Sequence, residues 1–530
     1  MDKVNKTQAS QPALSAFLQR GQAAINARNT ADAVFWFEKA ARENPKDAQA
    51  MACYGQALCW NRQFAQGLDM LRKAGALLAK SSRKHGDTSQ LLLLAEQLQY
   101  WRDYPASLEL IKQAVQIKKD LRGFQLLAHT YARLNRNALA LTASQQALRL
   151  MPDDAVLNLQ HAMLESKAGQ HAEAGARLSR ILGMAAAGET TFRAHKELAR
   201  IHDKLGHHDR VFEHLHAAAA LASGLPEVQK QDSRYVYDLL ADYSANFDAD
   251  LLRRWSGAEW LAESRAPVFL LGFLRSGSTL VQEILATHPE VFVSDETDLL
   301  VAMKQELQRI SAVKDDVTGQ LRAAGPDTIR HLRNFYWQSV KQRYGDDAAR
   351  AVFIDKTTMN TYDIGLINVV FPDAKVIFMV RDPRDVCLSC YMQVMLPSVS
   401  TVHLFGWRST AELYAATMQW WLHVEPMLSL RVMTLRYEDG VADFQTTFSR
   451  VFGFLGLELR AQAGEFYKQA GKKFIASPSF DQVSQPLYAT SVGRWRYYAA
   501  EFEALADLLT PCLQAFAYAS AGDEKQHPSV

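Results

Sequence analysis

Through the first 220 residues, small and apolar positions recur on a helical spacing. A small residue is followed by another small residue 12 positions on, an apolar one 16 on and usually alanine 19 on. The clearest unit has Gly21, Ala33, Phe37, Ala40 and Pro45; the next has Gly55, Gly67, Leu71 and Ala74. Ala95, Ser107, Ile111 and Ala114 follow, then Ala128, Ala140, Ala147 and Pro152, then Ala162, Ala174 and Leu178, and last Ala199, Val211, Leu215 and Ala218. The six anchors lie 34, 40, 33, 34 and 37 residues apart. A period near 34 predicts stacked helix pairs, because helices can cross closely only where side chains are small. Beyond residue 265 the pattern changes to short apolar runs alternating with helix-forming stretches. This predicts a mostly parallel sheet with helices on both faces.

The repeat spacing resembles that of tetratricopeptide arrays, which implies a curved helical solenoid over 13–235. Its role stays open between an extended-peptide groove, a dimerisation surface and a rigid spacer. Residues 1–12 and 521–530 are expected to be flexible, 236–265 to be a helical linker ended by Pro267, and 266–520 to form one α/β domain. The aromatics Phe35, Trp36, Trp60, Tyr100, Trp101 and Tyr104 fall at helical spacing and are expected to pack. His202, His207, His208, His214 and His216 lack a partner set for a metal and are expected on a solvated face.

The stretch 266–280, APVFLLGFLRSGSTL, carries the first chemistry. A buried strand ends in a Gly/Ser-rich turn that enters a helix, so unpaired helix N–H groups face the turn and favour an anion. Gly272, Gly277 and Thr279 keep the spacing of a nucleotide-binding P-loop, but Ser278 stands where that loop has its lysine. The charge has moved to Arg275, which suits a phosphate or sulfonate held without a metal and argues against ATP or GTP hydrolysis. Further strands deliver Asp295-Glu296-Thr297, Asp355-Lys356, Arg381 and Tyr437-Glu438-Asp439 to the carboxyl edge of the sheet, where α/β proteins bind ligands. Read alone, Arg381 and Arg384 fit a salt-bridged pair with Asp382 and Asp385, and Asp295 fits a helix cap with Glu296 beside it.

Three segments in order, GFLRSGSTL, VRDPRDVCLS and SVGRWRYY, resemble the phosphosulfate loop, 3′-phosphate segment and C-terminal cofactor loop of sulfotransferases. The second half is most similar to the tyrosylprotein and tetratricopeptide-containing members of that family. The resemblance implies 3′-phosphoadenosine 5′-phosphosulfate (PAPS) as sulfuryl donor, a hydroxyl acceptor with protein tyrosine among the candidates, and no required metal. It assigns Arg275, Ser276, Gly277, Ser278 and Thr279 to the 5′-phosphosulfate and Lys356 to the transferring group. Arg381, Ser389 and Arg494 go to the 3′-phosphate, and Glu296 is the base. The family's serine before Asp481-Gln482-Val483 is displaced, since Phe480 precedes them; Ser479, one place earlier, is the candidate replacement. Asp298, Leu299 and Leu300 follow the Glu-Thr pair where the tyrosylprotein enzymes have arginines, which weakens the case for acidic tyrosine motifs. A catalytically inactive repeat scaffold, a glycan or small-molecule sulfotransferase and a P-loop kinase are the rival readings.

Lys+Arg 59 against Asp+Glu 57 gives a formal charge of +2, which offers no general attraction for nucleic acid. With no apolar run near the roughly 20 residues of a membrane span, and no apolar leader, a cytoplasmic protein without a membrane partner is expected. Five cysteines suit a reducing compartment; Cys387 and Cys390 form a lone CxxC, read as small buried residues. A homodimer remains open.

Overall fold

The computed structural model describes residues 10–184, 186–470, 483, 485–487 and 490–518. The chain divides into two compact units, residues 1–184 with 342–345, and residues 185–341 with 346–530. Among the described residues of the first, ten helices run as consecutive pairs: α1 (Ser10–Asn26) with α2 (Thr30–Glu43), α3 (Ala48–Trp60) with α4 (Phe64–His85), α5 (Ser89–Tyr100) with α6 (Tyr104–Ile117), α7 (Leu121–Arg133) with α8 (Asn137–Leu150), and α9 (Ala155–Lys167) with α10 (His171–Leu182). Asn29, Asp47, Asp103, Asp120 and Asp154 cap their helices by accepting a backbone N–H in the first turn. Every small anchor is buried, and for a steric reason. A Cβ added at Gly55 would sit 2.8 Å from the Gly67 carbonyl oxygen.

A second marker keeps the same register. Arg28, Arg62, Arg102, Asn135 and Gly169 each lie in the turn within a pair and all have positive φ. Gly206 does the same in the second unit, between α11 (Gly188–Lys204) and α12 (His208–Ala222). The sixth pair therefore has the repeat's geometry but packs in the second unit. The packing boundary at 184/185 thus differs from the change of sequence pattern near 235. Phe192, Ala218, Ala222 and Leu225 close a core with Phe405, the two phenyl rings stacked 5.3 Å apart.

The aromatic expectation holds only in part. Tyr104 is buried, whereas Phe35, Trp60 and Tyr100 are exposed, Tyr100 by 72%. The histidine expectation also holds in part, since His207 and His216 are exposed. His214 is buried, its Nδ1 is 3.0 Å from that of His195, and its ring stacks on His202. Desolvation holds His214 down to about 4.

After helix α13 (Tyr235–Asn246), the expected continuation to residue 260 breaks because Asp248 caps a new short helix, Ala249–Arg253. Five parallel strands then form one sheet in the order β2-β3-β1-β4-β5. They are β1 (Val268–Gly272), β2 (Val291–Val293), β3 (Val352–Lys356), β4 (Lys375–Val380) and β5 (Arg431–Arg436). β1 lies between β3 and β4, with Leu270 opposite Lys356 and Gly272 opposite Met379. Its five residues are all buried, as a strand covered on both faces requires. The chain fills β2, β3 and β1 on one side before crossing to β4. The reversal of strand order puts a crevice at the carboxyl ends of β1, β3 and β4. Helix α14 (Ser278–Leu285) follows β1. The long stretch 299–344 forms α15 (Leu299–Ile310), a short helix and α16 (Pro326–Tyr344), and α17 (Pro383–Met392) follows β4.

Candidate active site

The turn between β1 and α14 is shaped by three residues with positive φ: Gly272, Arg275 at 64° and Gly277 at 98°. At Gly277 both conformation and space require glycine, because an added Cβ would strike the Tyr437 ring. Ser276 Oγ donates to the Phe273 carbonyl at 2.7 Å and closes the turn on itself. Gly277 is the N-cap of α14 and brings no side chain of its own, so the positive end of the helix lies at the carboxyl end of β1. Ser278 Oγ lies 3.1 Å from Thr358 Oγ1, tying the start of α14 to the end of β3. Thr279 is buried in the first turn.

Arg275, 8% exposed, donates from Nε to Ser389 Oγ at 3.0 Å. That bond joins segments 114 residues apart. Arg381 donates from Nη1 to the Arg275 carbonyl at 3.1 Å and from Nη2 to the Ser491 carbonyl. Arg275 and the segment that carries Arg381 and Ser389, two separate places in the chain, therefore converge. Arg381 Nε is buried with no hydrogen-bond partner among the described residues. A buried guanidinium N–H is costly to leave unpaired, so an anionic oxygen is the chemistry this position suits.

The second half of the site is at the ends of β2 and β3. Glu296 N donates to the Lys356 carbonyl and Lys356 N to Ser294 Oγ, so the loop after β2 extends the ladder. Lys356 Nζ donates to Glu296 Oε1 at 2.9 Å, with Asp295 Oδ1 at 3.8 Å. Lys356 is 1% exposed and Glu296 40%. The carboxylate thus meets a buried ammonium on one side and solvent on the other. Glu296 has φ 45°, a strained value for a side chain this size. The cap position of α15 is Asp298, so Asp295 does not fill the capping role its sequence allowed.

Asp355 points to the opposite face from Lys356, fully buried, accepting from Tyr336 Oη at 2.8 Å. Burial raises its carboxyl to about 6, against the lowering effect of its hydrogen bonds. Arg384 pairs bidentately with Asp382, at 2.9 and 2.7 Å, and lies 3.5 Å over the Trp495 ring. The ion pair with Asp382 is the one expected when the segment is read alone, but it is buried rather than on the surface. Arg381 approaches Asp385 only to 3.9 Å; Asp385 instead accepts from Gly493 N and Trp495 N. Burial raises the Asp385 carboxyl and pushes the Cys387 and Cys390 thiols up, which keeps that CxxC protonated and inert.

Arg494 is not drawn into the Arg381–Ser389 group. Its Nε and Nη2 bind Asp203 of α11 at 3.1 and 2.7 Å. Ser479 lies outside the described residues. One contact escaped the sequence reading: Tyr437, just after β5, packs on Gly277. Its ring lies 4.8 Å under Arg381, and its hydroxyl is 2.9 Å from Ser491 Oγ. Among the described residues, no group of three or more His, Cys, Asp and Glu side chains is arranged to hold a metal. None of the described helices is long and apolar enough to cross a membrane.

The segment that builds the crevice can be compared with known families. Residues 267–461 match the Sulfotransferase family. An uncharacterized protein of Aquifex aeolicus is 25% identical over 310 residues, 57% of this chain and 39% of its own length. Protein-tyrosine sulfotransferase A of Caenorhabditis elegans is 24% identical over 234 residues, 43% of this chain and 60% of its own. The chain thus spans about half the length of these relatives. The sulfotransferase domain from the Synechococcus PCC 7002 olefin synthase aligns with 46% of this chain and 95% of that domain, at 20% identity and a TM-score of 0.32. The stretch that matches this family carries Arg275, Glu296, Lys356, Arg381 and Ser389; Arg494 and Ser479 lie beyond its matched end.

Proposed function

We propose that the chain transfers a sulfuryl group from PAPS to a hydroxyl acceptor, with peptide tyrosine the first class to test. The observation that carries this reading is the convergence of Arg275, Ser389 and Arg381 beside the start of α14. Two cationic groups and the positive end of a helix suit the two anionic ends of such a donor, and the sequence match to the sulfotransferase family supports the same chemistry.

In this mechanism the turn 272–279 holds the 5′ end through backbone N–H groups and Arg275. Arg381 offers its buried Nε to the 3′-phosphate, with Ser389 alongside. When bound, the donor supplies an activated sulfuryl group already anionic, so charge stabilisation and positioning carry most of the catalysis. Glu296 accepts the proton of the attacking hydroxyl as its oxygen bonds to sulfur. Lys356, within reach of Glu296, stabilises the charge that grows on the leaving phosphate as its bridging bond breaks. The products are the sulfate ester, 3′-phosphoadenosine 5′-phosphate (PAP) and the proton on Glu296. No step in this scheme calls for a metal. The tyrosine acceptor rests on likeness to relatives named as tyrosine sulfotransferases. The helix pairs preceding the α/β segment are the proposed peptide-binding surface.

Calorimetric titration of PAP and of ATP, each with and without magnesium, tests the reading. Tight, magnesium-independent binding of PAP alone is expected. Preference for magnesium-ATP would replace it with a kinase, and PAP binding without transfer of labelled sulfate to any acceptor in host lysate would leave a scaffold.

A further inference from the structure

Residues 491–498 cross the 3′-phosphate side of the crevice as a loop and a short helical turn, Arg494–Tyr498. One side is fastened to α17: Asp385 accepts from Gly493 N at 2.7 Å and Trp495 N at 2.9 Å. The other side is fastened to the helix pair α11–α12, which comes from the last of the sequence repeats. Asp203 near the end of α11 takes Arg494 Nε and Nη2 at 3.1 and 2.7 Å, and accepts a third bond from Tyr498 Oη at 2.6 Å. At the start of α12, His208 Nδ1 is 3.1 Å from that same hydroxyl, and its ring stacks on Tyr497.

The pair is more than a surface contact. Asp203 and Arg494 are only 13% and 26% exposed, and the contact is bidentate with an added hydroxyl. A surface ion pair of long flexible side chains has neither feature. The guanidinium carries five N–H donors in a rigid fork, and binding of one edge by a carboxylate fixes the direction of the others. Arg494 Nη2 also lies 2.9 Å from the sulfur of Met392. Met392 is three residues after Ser389 on α17, so the two share a helix face. The fixed guanidinium therefore sits on the face of α17 that carries Ser389.

The same helix pair steadies α17 itself. Lys196 of α11 donates to the Tyr391 carbonyl in the last turn of α17, and Tyr391 Oη donates to the Leu215 carbonyl of α12 at 3.1 Å.

We propose that Asp203 is a positioning residue of the donor site, and that the α11–α12 pair is part of that site: it aims Arg494 at the 3′-phosphate. This rests on the PAPS reading above. Asp203 touches neither donor nor acceptor and acts through Arg494.

The test is a double-mutant cycle on the full chain, with PAP affinity read by calorimetry and initial rates read with labelled PAPS. Arg494→Ala and Asp203→Asn are each expected to weaken PAP about tenfold, the loss of one charge-assisted contact. The double variant should bind no more weakly than Arg494→Ala alone. Donor KM should rise while kcat and acceptor KM stay put, and Asp203→Glu should recover part of the loss. Tyr498→Phe, which keeps the ion pair, should cost less than Asp203→Asn and serves if that variant fails to fold. Losses that add in the double variant would make Asp203 merely structural and overturn the proposal. Unchanged or tighter PAP binding in Asp203→Asn, with Arg494→Ala still weakened, would overturn it too, as would an Arg494→Ala variant that binds like wild type. Wild-type protein that fails to bind PAP would instead remove the PAPS reading itself.

Discussion

Replacing Glu296 by glutamine removes one function of that residue and preserves nearly everything else around it. The amide has the carboxylate's length, and its carbonyl oxygen can still accept from Lys356 Nζ, now bonded at 2.9 Å. The lysine therefore keeps its place, and with Asp295 3.8 Å away its ammonium keeps a neighbouring carboxylate. The amide cannot take a proton at neutral pH. The expected loss in kcat is that of a general base, roughly a hundred- to ten-thousandfold, or about 3–5 kcal/mol of transition-state stabilisation. The pair contributes little to folding, since Glu296 is 40% exposed and solvent screens it to below about 1 kcal/mol. Glu296 also stands on the opposite side of the crevice from Arg381 and Ser389. PAP affinity should therefore hold within about a factor of two, and Tm should fall by less than roughly 4 °C. Single-turnover transfer of labelled sulfate, PAP calorimetry and a melting curve read the three quantities. Unchanged turnover would refute Glu296 as the base. A loss of PAP affinity as large as the loss of rate would mean that the residue holds the donor.

Arg381→Ala removes a buried cation with an unpaired Nε, so PAP affinity should fall by about 2 kcal/mol in calorimetry, with little change in acceptor KM. Gly277→Ala forces a methyl into the Tyr437 ring at φ 98°, and should lower stability by about 2 kcal/mol or more in denaturant melts. Asp355 has a folded value raised from 3.8 to about 6, so its contribution to stability is fully present below pH 3.8 and is lost as pH rises through 6. Asp355→Asn should therefore stabilise the fold relative to wild type by up to about 3 kcal/mol at pH 7.5, and by little at pH 4. Urea melts at the two pH values read the difference, and an equal shift at both would show that Asp355 does not titrate in this way.

The strands were legible because parallel strands covered on both faces need unbroken apolar runs, and VFLLG and VIFMV supply them. The helix pairs were legible because close crossings demand small residues at a fixed interval. The turns inside those pairs were not. Nothing in Arg28, Arg62 or Arg102 announces a left-handed backbone, which the surrounding helices impose. At the crevice, local motifs marked Arg275, Lys356 and Arg381, since each stands at the end of a strand or in the turn just after one. The contact of Arg275 with Ser389 joins segments 114 residues apart, and that of Arg494 with Asp203 spans 291; neither sequence neighbourhood hints at the other. Tyr437 was noted at the end of its strand, but its packing on Gly277 depends on the strand order, which places β5 beyond β4.

The packing boundary also bears on modularity. Five helix pairs could be exchanged, lengthened or lost without touching a group that holds residues 491–498. The sixth lacks that freedom, because Lys196, Asp203, His208 and Leu215 are all bonded to α17 or to residues 494–498. A fragment cut where the repeat pattern fades, near residue 235, would leave the end of α17 unbraced and Arg494 without its carboxylate. One begun at residue 186 would keep both. The smallest unit that keeps these contacts is thus an α/β domain with one repeat permanently attached.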